Sequence, residues 1–322
     1  MAKHPSVIPA TDTDELTASV IEGLRKSPKE LSPVWFYDEY GSVLFDSICD
    51  LPEYYLTRTE LGIMEARAGE MAQLIGPQAA LIEFGSGTSL KTRLLLDRLV
   101  APVAYVPVDI AREHLIEAAN SLGRDYPTLP IVPVCADFTQ PFELPRWIAT
   151  AQRRVVYFPG STIGNFSRDA ARALLASMHK LIGPNGAVLI GFDMKKDPQV
   201  LERAYNDSAG VTAQFNLNAL RHLNSELGTN FNIDAFEHRA VWVEEHSRIE
   251  MHLVSKREQS VTIADTRIAI GKDEHIRTEY CHKHTLDSFA DLAASTHLLA
   301  TRTWTDAERK FSVQLLEPVA VQ

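Results

Sequence analysis

Two glycines separated by one residue follow an apolar run near residue 80, in a pattern typical of ligand-binding turns between a strand and a helix. Ala79 to Phe84 predicts a buried strand, and Gly85-Ser86-Gly87-Thr88-Ser89 leads into leucines at helical spacing. Glycines let a ligand approach the backbone closely and leave N–H groups available to it. The turn is not a complete G-x-G-x-x-G, and Glu83 precedes it, so a nucleoside without phosphates is favoured over a dinucleotide.

Acidic side chains also follow the next two predicted strands. Asp109 follows the run Ala104 to Val108, roughly twenty residues past the glycines, which is the usual spacing for a carboxylate that accepts from ribose hydroxyls. Asp137-Phe138 follows the run Ile131 to Val134 and could bind an adenine through its carboxylate and its ring. Ligands of such sheets bind beyond the carboxyl ends of the strands. These groups together fit S-adenosylmethionine, a nucleoside with a cationic sulfonium and no phosphate.

The apolar runs that precede and follow these groups predict an α/β fold with a doubly wound sheet. Val155 to Phe158 and Ala187 to Phe192 are further apolar runs of strand length. His297 to Trp304 and Phe311 to Leu316 predict an antiparallel pair that closes the sheet.

The stretch between this sheet and the final helix predicts a second, α+β lobe. Helices are expected at 198–207 and 211–227, and antiparallel strands at 239–245, 248–255, 259–263 and 266–270. We therefore expect a core of residues 61–196 plus 284–322, a substrate-binding lobe of residues 13–60 plus 197–283, and a loose N-terminus over 1–12. The ligand site is expected between the lobes, a preferred place for small-molecule pockets.

Composition excludes several function classes. The 322 residues carry a formal net charge of −10 and no basic tract, which argues against a nucleic-acid partner. No apolar stretch approaches the ~20 residues that cross a bilayer, and the N-terminus lacks a signal-peptide core. The three cysteines, Cys49, Cys135 and Cys281, are widely spaced, which favours a reducing cytoplasm and gives no zinc pattern. His282-Lys283-His284 lacks an evident third ligand, so no metal is predicted.

Several longer motifs occur together in one family. They are Trp35-Phe36-Tyr37-Asp38, Leu51-Pro52-Glu53-Tyr54-Tyr55, Thr57-Arg58-Thr59-Glu60, the glycine turn, Gly160-Ser161-Thr162-Ile163-Gly164-Asn165, Ala209-Gly210-Val211-Thr212-Ala213 and Arg248-Ile249-Glu250-Met251. From about residue 15 to 317 the chain resembles the bacterial L-histidine Nα-methyltransferases of ergothioneine biosynthesis. The resemblance implies a class I methyltransferase-like fold and transfer of three methyl groups from S-adenosylmethionine to the α-amine of free histidine. The product is hercynine, no metal takes part, and a monomer is expected.

The resemblance also implies site residues. The methyl donor is expected to contact Gly85, Lys91, Asp109, Asp137 and Phe138. The amino acid is expected to contact Tyr54, Gly160, Asn165, Tyr205, Met251, Glu279, Tyr280 and Cys281. Asn165 and Tyr37 are the expected catalytic residues: the Asn165 amide can align the amine, and Tyr37 can present its hydroxyl or ring. The Glu279 carboxylate can accept the imidazole N–H. Met251 could equally be an inward-facing strand residue.

One departure from the family leaves the substrate open. Histidine-specific members have serine where this chain has Cys281, and a thiol is a weaker donor than a hydroxyl. Another aromatic amino acid is therefore an alternative substrate. A protein that binds S-adenosylmethionine as a sensor, without catalysis, is a second alternative, against which Tyr37, Asn165 and Tyr205 argue.

Overall fold

The computed structural model describes residues 13–85 and 90–319. The predicted loose N-terminus and residues 86–89 of the glycine turn lie outside the described residues. The helices are α1 Thr13–Arg25, α2 Glu39–Cys49, α3 Tyr55–Ile75, α4 Leu90–Leu96, α5 Arg112–Asp125, α6 Arg168–Ile182, α7 Pro198–Tyr205, α8 Val211–Leu227 and α9 Leu286–Ala294. The strands are β1 Lys29–Glu30, β2 Ala79–Phe84, β3 Ala104–Asp109, β4 Val134–Cys135, β5 Arg153–Phe158, β6 Ala187–Asp193, β7 Phe236–Val243, β8 Arg248–Ser255, β9 Gln259–Ile263, β10 Thr266–Ile270, β11 His275–His282, β12 Leu298–Thr305 and β13 Phe311–Pro318.

The chain divides into two compact units. One comprises the residues as far as Thr57 together with Lys196–His282, and the other comprises Arg58–Lys195 and the residues from Lys283 onward. The first is here called the insertion unit and the second the sheet unit. Their assignment to substrate and donor binding stays a prediction.

The sheet unit contains a seven-stranded sheet in the order β12-β13-β6-β5-β2-β3-β4. Strands β2 to β6 pair in parallel, whereas β13 runs antiparallel to both β6 and β12. Every residue of β2 and β6 is buried, as expected for parallel strands covered by helices on both faces. The predicted doubly wound sheet with an antiparallel closing pair is confirmed.

The third predicted strand is shorter than expected. Instead of a strand over 131–134, the structure has an isolated bridge between Ile131 and Tyr105, followed by β4 at Val134–Cys135. Pro133 lies between them, and because proline has no N–H to donate, it interrupts the ladder.

The insertion unit contains a four-stranded sheet in the order β1-β11-β8-β7 and a β9–β10 hairpin. Helix α8 packs against β7 and β8. The predicted bounds of β8, β9 and β10 are confirmed, but β7 spans Phe236–Val243 rather than 239–245, because Glu244–His246 forms a 3-10 turn. Strand β11 was not predicted from alternation. Within residues 13–85 and 90–319, no helix has the length and apolar content to cross a membrane.

Candidate active site

Three predicted donor ligands follow neighbouring strands of the sheet unit. Gly85, Asp109 and Asp137 stand at or just beyond the carboxyl ends of β2, β3 and β4, and these strands are adjacent. The N–H of Gly85 donates to the carbonyl of Val108 at 3.0 Å, and its φ of +72° suits glycine. A Cβ at Gly85 would meet no atom of residues 13–85 or 90–319 within 4 Å, so these residues leave space beside it.

The two aspartates are held by local backbone hydrogen bonds. Asp109 is half-buried and accepts from the N–H of Ala111 at 2.9 Å, while burial raises the pKa of its carboxyl group. Asp137 is exposed and accepts from the N–H and the hydroxyl of Thr139, at 2.8 and 2.6 Å. A carboxylate has more acceptor positions than these bonds use, so each can still accept from a ligand.

The Phe138 ring belongs partly to the core. It stacks on Phe84 with centroids 5.1 Å apart and planes 15° apart, and it meets Phe158 and Phe166 edge-on. The side chain is half-buried. One face of the ring is therefore used for packing, and only the remainder is available to cover an adenine.

Lys91 is paired within the sheet unit. Its ammonium group contacts the carboxylate of Glu60, which is 1% exposed and also accepts from the N–H of Gly160. One buried carboxylate thus links the predicted donor ligand Lys91 to the predicted substrate residue Gly160. Sequence reasoning did not assign Glu60 a role, because its partners are 31 and 100 residues away. The signal available was its place in the Thr-Arg-Thr-Glu motif.

Glu83, which in the sequence favours a nucleoside without phosphates, forms hydrogen bonds within the fold. It is 2% exposed and accepts from the hydroxyls of Thr92 and Tyr105. Burial raises the pKa of its carboxyl group to about 7, and the two hydrogen bonds and the charge of Lys91 lower it only partly. Glu83 therefore connects β2 to β3 and α4 below the ligand edge.

The loop after β5 carries Gly160 and Asn165. Gly160 has a φ of +81°, and Ser161 after it has a φ of +61° and accepts from the N–H of Asp193 at 2.9 Å through its hydroxyl. A 3-10 helix, Thr162–Asn165, ends on Asn165, whose side chain is half-buried. This loop is thus tied to the end of β6 and holds Asn165 on a short ordered element.

In the insertion unit, two predicted substrate tyrosines meet. The Tyr54 and Tyr205 rings lie edge-on with centroids 5.9 Å apart, and both residues are buried. Tyr37 is 47% exposed and contacts the rings of Phe45 and Phe215 edge-on. The Tyr37 ring thus packs in an aromatic cluster with Phe45 and Phe215.

The pairing of strands β8 and β11 shows which of the remaining predicted residues share a face of the sheet. Glu279 is paired directly with Met251, and Cys281 with Ile249, so Glu279, Met251 and Cys281 lie on one face. Met251 and Cys281 are buried there, and Glu279 is half-buried.

The side chain of Tyr280 lies on the opposite face of this sheet. Tyr280 is paired with Glu250, and its ring lies under the guanidinium groups of Arg248 and Arg277, 4.6 and 5.3 Å from the centroid. Alternation along the strand therefore separates the Tyr280 ring from Glu279 and Cys281. Only the backbone of Tyr280 lies beside Glu279 and Cys281.

Within the part of the chain that the structure describes, no three His, Cys, Asp or Glu side chains converge as metal ligands.

Comparison with known proteins places the chain in a family. Residues 16–318 match the family of histidine-specific, SAM-dependent methyltransferases. The histidine N-alpha-methyltransferase of Mycolicibacterium smegmatis is 39% identical over 307 residues, covering 94% of each chain. That of Mycobacterium tuberculosis is 40% identical, covering 93% of this chain and 94% of its own. Ergothioneine biosynthesis protein 1 of Neurospora crassa is 34% identical over 63% of this chain and 24% of its own.

These matches agree with the class I methyltransferase-like sheet predicted from sequence, and the S-adenosylmethionine donor is that of the family. The chain belongs to the histidine-specific, S-adenosylmethionine-dependent methyltransferases.

Proposed function

We propose that this chain trimethylates the α-amino group of free L-histidine with S-adenosylmethionine, giving hercynine in the first step of ergothioneine biosynthesis. One observation supports this most directly. The donor residues follow β2, β3 and β4, and the loop with Gly160 and Asn165 follows β5, the other neighbour of β2. Groups suited to a donor and groups suited to an amine therefore stand along one sheet edge. The family match supports histidine as the substrate.

The reaction places few demands on acid–base chemistry. The neutral amine attacks the methyl carbon, the carbon–sulfur bond breaks with its electrons going to sulfur, and S-adenosylhomocysteine leaves. The new methylammonium loses a proton to water before the next transfer, and the third transfer leaves a quaternary ammonium. Alignment of nucleophile and methyl group can supply roughly 7–11 kcal/mol, so positioning is the main task of the protein.

Asn165 is proposed to perform that positioning. Its amide oxygen can accept from the amine and direct the lone pair, and its NH2 group can donate to the substrate carboxylate. Tyr205 is proposed to donate to the same carboxylate, with Gly160 beside it.

Tyr37 and Tyr54 are proposed to accommodate the changing amine. Each methylation removes an N–H donor, yet the cationic product still attracts aromatic faces, at about 0.5–2 kcal/mol each. Two tyrosines can therefore serve the mono-, di- and trimethylated forms without rearrangement.

Glu279 is proposed to recognise the imidazole, on the face that it shares with Met251 and Cys281. A site that hydrogen-bonds an N–H of the substrate discriminates strongly against side chains that lack that N–H. Because Tyr280 points to the other face, its part in binding is proposed to be through its backbone. Cys281 in place of serine favours a second candidate function, N-methylation of another aromatic amino acid.

The donor is proposed to contact Gly85, Lys91, Asp109, Asp137 and Phe138. We further propose that the enzyme acts as a cytoplasmic monomer on a free amino acid, without a metal, nucleic-acid or membrane partner. The low number of cysteines, three, and their wide spacing support the compartment.

Mass spectrometry of histidine incubated with enzyme and S-adenosylmethionine tests the proposal. We expect gains of one, two and three methyl masses on the α-nitrogen, with tyrosine and tryptophan converted far more slowly. No gain on histidine together with rapid gain on another aromatic amino acid would favour the second candidate. Donor binding by calorimetry without transfer to any amino acid would indicate a sensor.

A further inference from the structure

A buried hydrogen-bond relay in the insertion unit joins two of the proposed substrate residues. It runs from Thr278 through Asn216 and His238 to the backbone of Tyr205. The Thr278 hydroxyl donates to Asn216 Oδ1 at 2.6 Å, Asn216 Nδ2 donates to His238 Nδ1 at 2.8 Å, and His238 Nε2 donates to the carbonyl of Tyr205 at 2.7 Å.

Two backbone carbonyls fix the direction of every bond in this relay. The carbonyl of Tyr205 can only accept, so His238 must carry its proton on Nε2 and accept on Nδ1. The carbonyl of His252 also only accepts, and it lies 3.0 Å from Asn216 Nδ2. Asn216 therefore presents its NH2 group to His252 and His238 and its oxygen to Thr278. Asn216 and His238 therefore each have one arrangement that satisfies the groups bonded to them.

The relay begins where the β11 ladder is irregular. The register shifts between Arg277 and Glu279, so Thr278 is an extra residue opposite β8. A bulge of this kind re-aims the side chains beside it, and an extra residue moves the following side chains to the other face. The bulge is what puts Glu279 on the face of Met251. The carbonyl of Met251 on β8 lies 3.1 Å from the same Thr278 hydroxyl and is a second, more distant acceptor for its one proton.

The relay ends where α7 ends. Tyr205 is the last residue of α7, and the hydrogen bond that its carbonyl accepts from His238 Nε2 holds the helix terminus against β7, which carries His238. Asn216 and Thr278 are 0% and 1% exposed, so water does not compete for the bond between them, while His238 is half-buried. The position of Glu279 and the position of Tyr205 are thus set through one continuous chain of hydrogen bonds.

We propose that Thr278, Asn216 and His238 are positioning residues that hold Glu279 in a fixed relation to Tyr205 and thereby set the selectivity for histidine. The inference rests on the proposed function, in which Glu279 binds the imidazole and Tyr205 the carboxylate. None of the three acts on the reacting atoms.

The test uses two substitutions of Thr278 in the full-length enzyme. Thr278→Val keeps the size and removes the hydroxyl, whereas Thr278→Ser keeps the hydroxyl and removes the methyl group. For Thr278→Val we expect a roughly five- to tenfold higher KM for histidine, from the loss of about one buried hydrogen bond. kcat and the KM for S-adenosylmethionine stay within about twofold, and selectivity for histidine over phenylalanine falls by the same factor as the histidine KM rises. Thr278→Ser is expected to behave like the wild type.

Thr262→Val, at an exposed position of β9, is the matched control and should change nothing. If Thr278→Val does not fold, His238→Phe breaks the relay at its other end and should give the same selective rise in KM.

Three outcomes would overturn the inference. They are equal effects of the valine and serine variants, equal losses for histidine and phenylalanine, and a loss confined to kcat. A wild-type enzyme that does not methylate histidine would overturn the proposed function and the inference with it, whereas an active wild type with indistinguishable variants overturns the relay alone.

Discussion

The backbone N–H of Gly160 donates to both carboxylate oxygens of Glu60, at 3.1 and 3.0 Å. Because the same carboxylate pairs with Lys91, the loop after β5 and the first turn of α4 are held by one buried group on α3. An ion pair in such a setting is costly to break from one side, since the remaining charge stays buried. This relation makes Lys91, the proposed donor-binding residue, and the loop of Gly160, proposed to bind the substrate, interdependent.

Lys91→Met should weaken binding of ligands that carry the donor carboxylate. We expect the Kd of S-adenosylhomocysteine to rise roughly tenfold or more, since a charge-assisted hydrogen bond is lost. The Kd of 5′-methylthioadenosine, which has no carboxylate, should change less than about twofold. Isothermal titration calorimetry measures both, and Lys91→Arg, which retains the charge, is the control. If binding of the two ligands were weakened equally, Lys91 would not be the residue that recognises the carboxylate.

Gly191→Ala should destabilise the sheet unit. A Cβ there would lie 2.2 Å from Glu60 Oε1 and 3.0 Å from the Phe311 ring. Such overpacking costs typically about 1–3 kcal/mol, measurable as a lower free energy of unfolding in urea. The matched control is Gly62→Ala, at an exposed position of α3 with nothing within 4 Å of the added carbon. It should stabilise by roughly 0.5–1 kcal/mol, because alanine favours helix. A neutral Gly191→Ala would mean that Glu60 moves freely.

Glu83 should make stability depend on pH. Its folded-state pKa is raised from 4.5 to about 7, so the folded protein binds this proton more tightly than the unfolded chain does. The stabilisation is fully present below about pH 4.5 and is lost as the pH rises through about 7. Glu83→Gln has no such titration, so its melting temperature relative to the wild type should increase between about pH 5 and about pH 8. Thermal denaturation followed by circular dichroism measures this, and a difference independent of pH would contradict it.

Cys281→Ser should improve recognition of histidine. The position is buried and shares a face with Glu279, and a hydroxyl is a stronger donor than a thiol. We expect the KM for histidine to fall about two- to fivefold, in line with a modest hydrogen-bond gain. Cys281→Ala, which has no donor, is the control and should not lower KM. A higher KM in the serine variant would show that the cysteine suits the natural substrate.

Substitutions of Asn165 and Glu279 should have different effects when the substrate changes from histidine to phenylalanine. With histidine, alanine at either position should lower kcat/KM. With phenylalanine, which offers no imidazole N–H, only Asn165→Ala should still cost roughly a hundredfold or more, because it aligns the amine of any amino acid. Steady-state assays of S-adenosylhomocysteine release provide the comparison. Similar losses for the two variants on phenylalanine would contradict the assigned roles.

Elements with a regular pattern could be predicted from sequence. The bounds of β8, β9, β10 and α8 follow from unbroken alternation or helical spacing and agree with the structure. Strand β4 could not be predicted correctly, because apolar residues on both sides of Pro133 resemble one strand although the proline cannot donate to the ladder.

The arrangement of the site was harder to predict from the sequence than the fold. The bulge at Thr278 breaks the alternation of β11, so the spacing from the start of the strand does not indicate that Glu279 shares a face with Met251. Glu60 and Asn216 look like ordinary polar helix residues, since their partners are distant in sequence. Local sequence patterns reflect interactions between neighbouring residues, whereas the environments of Glu60 and Asn216 are set by hydrogen bonds to residues far away in sequence.

The place where the long insertion leaves the sheet unit is also the place where it returns. Met194 forms a bridge with His284, the N–H of Lys195 donates to the carbonyl of His284, and Lys283 pairs with Asp193 at 2.9 Å. Because exit and re-entry are adjacent and joined by a buried charge pair, the chain between them can change in length without altering the strand order of the seven-stranded sheet.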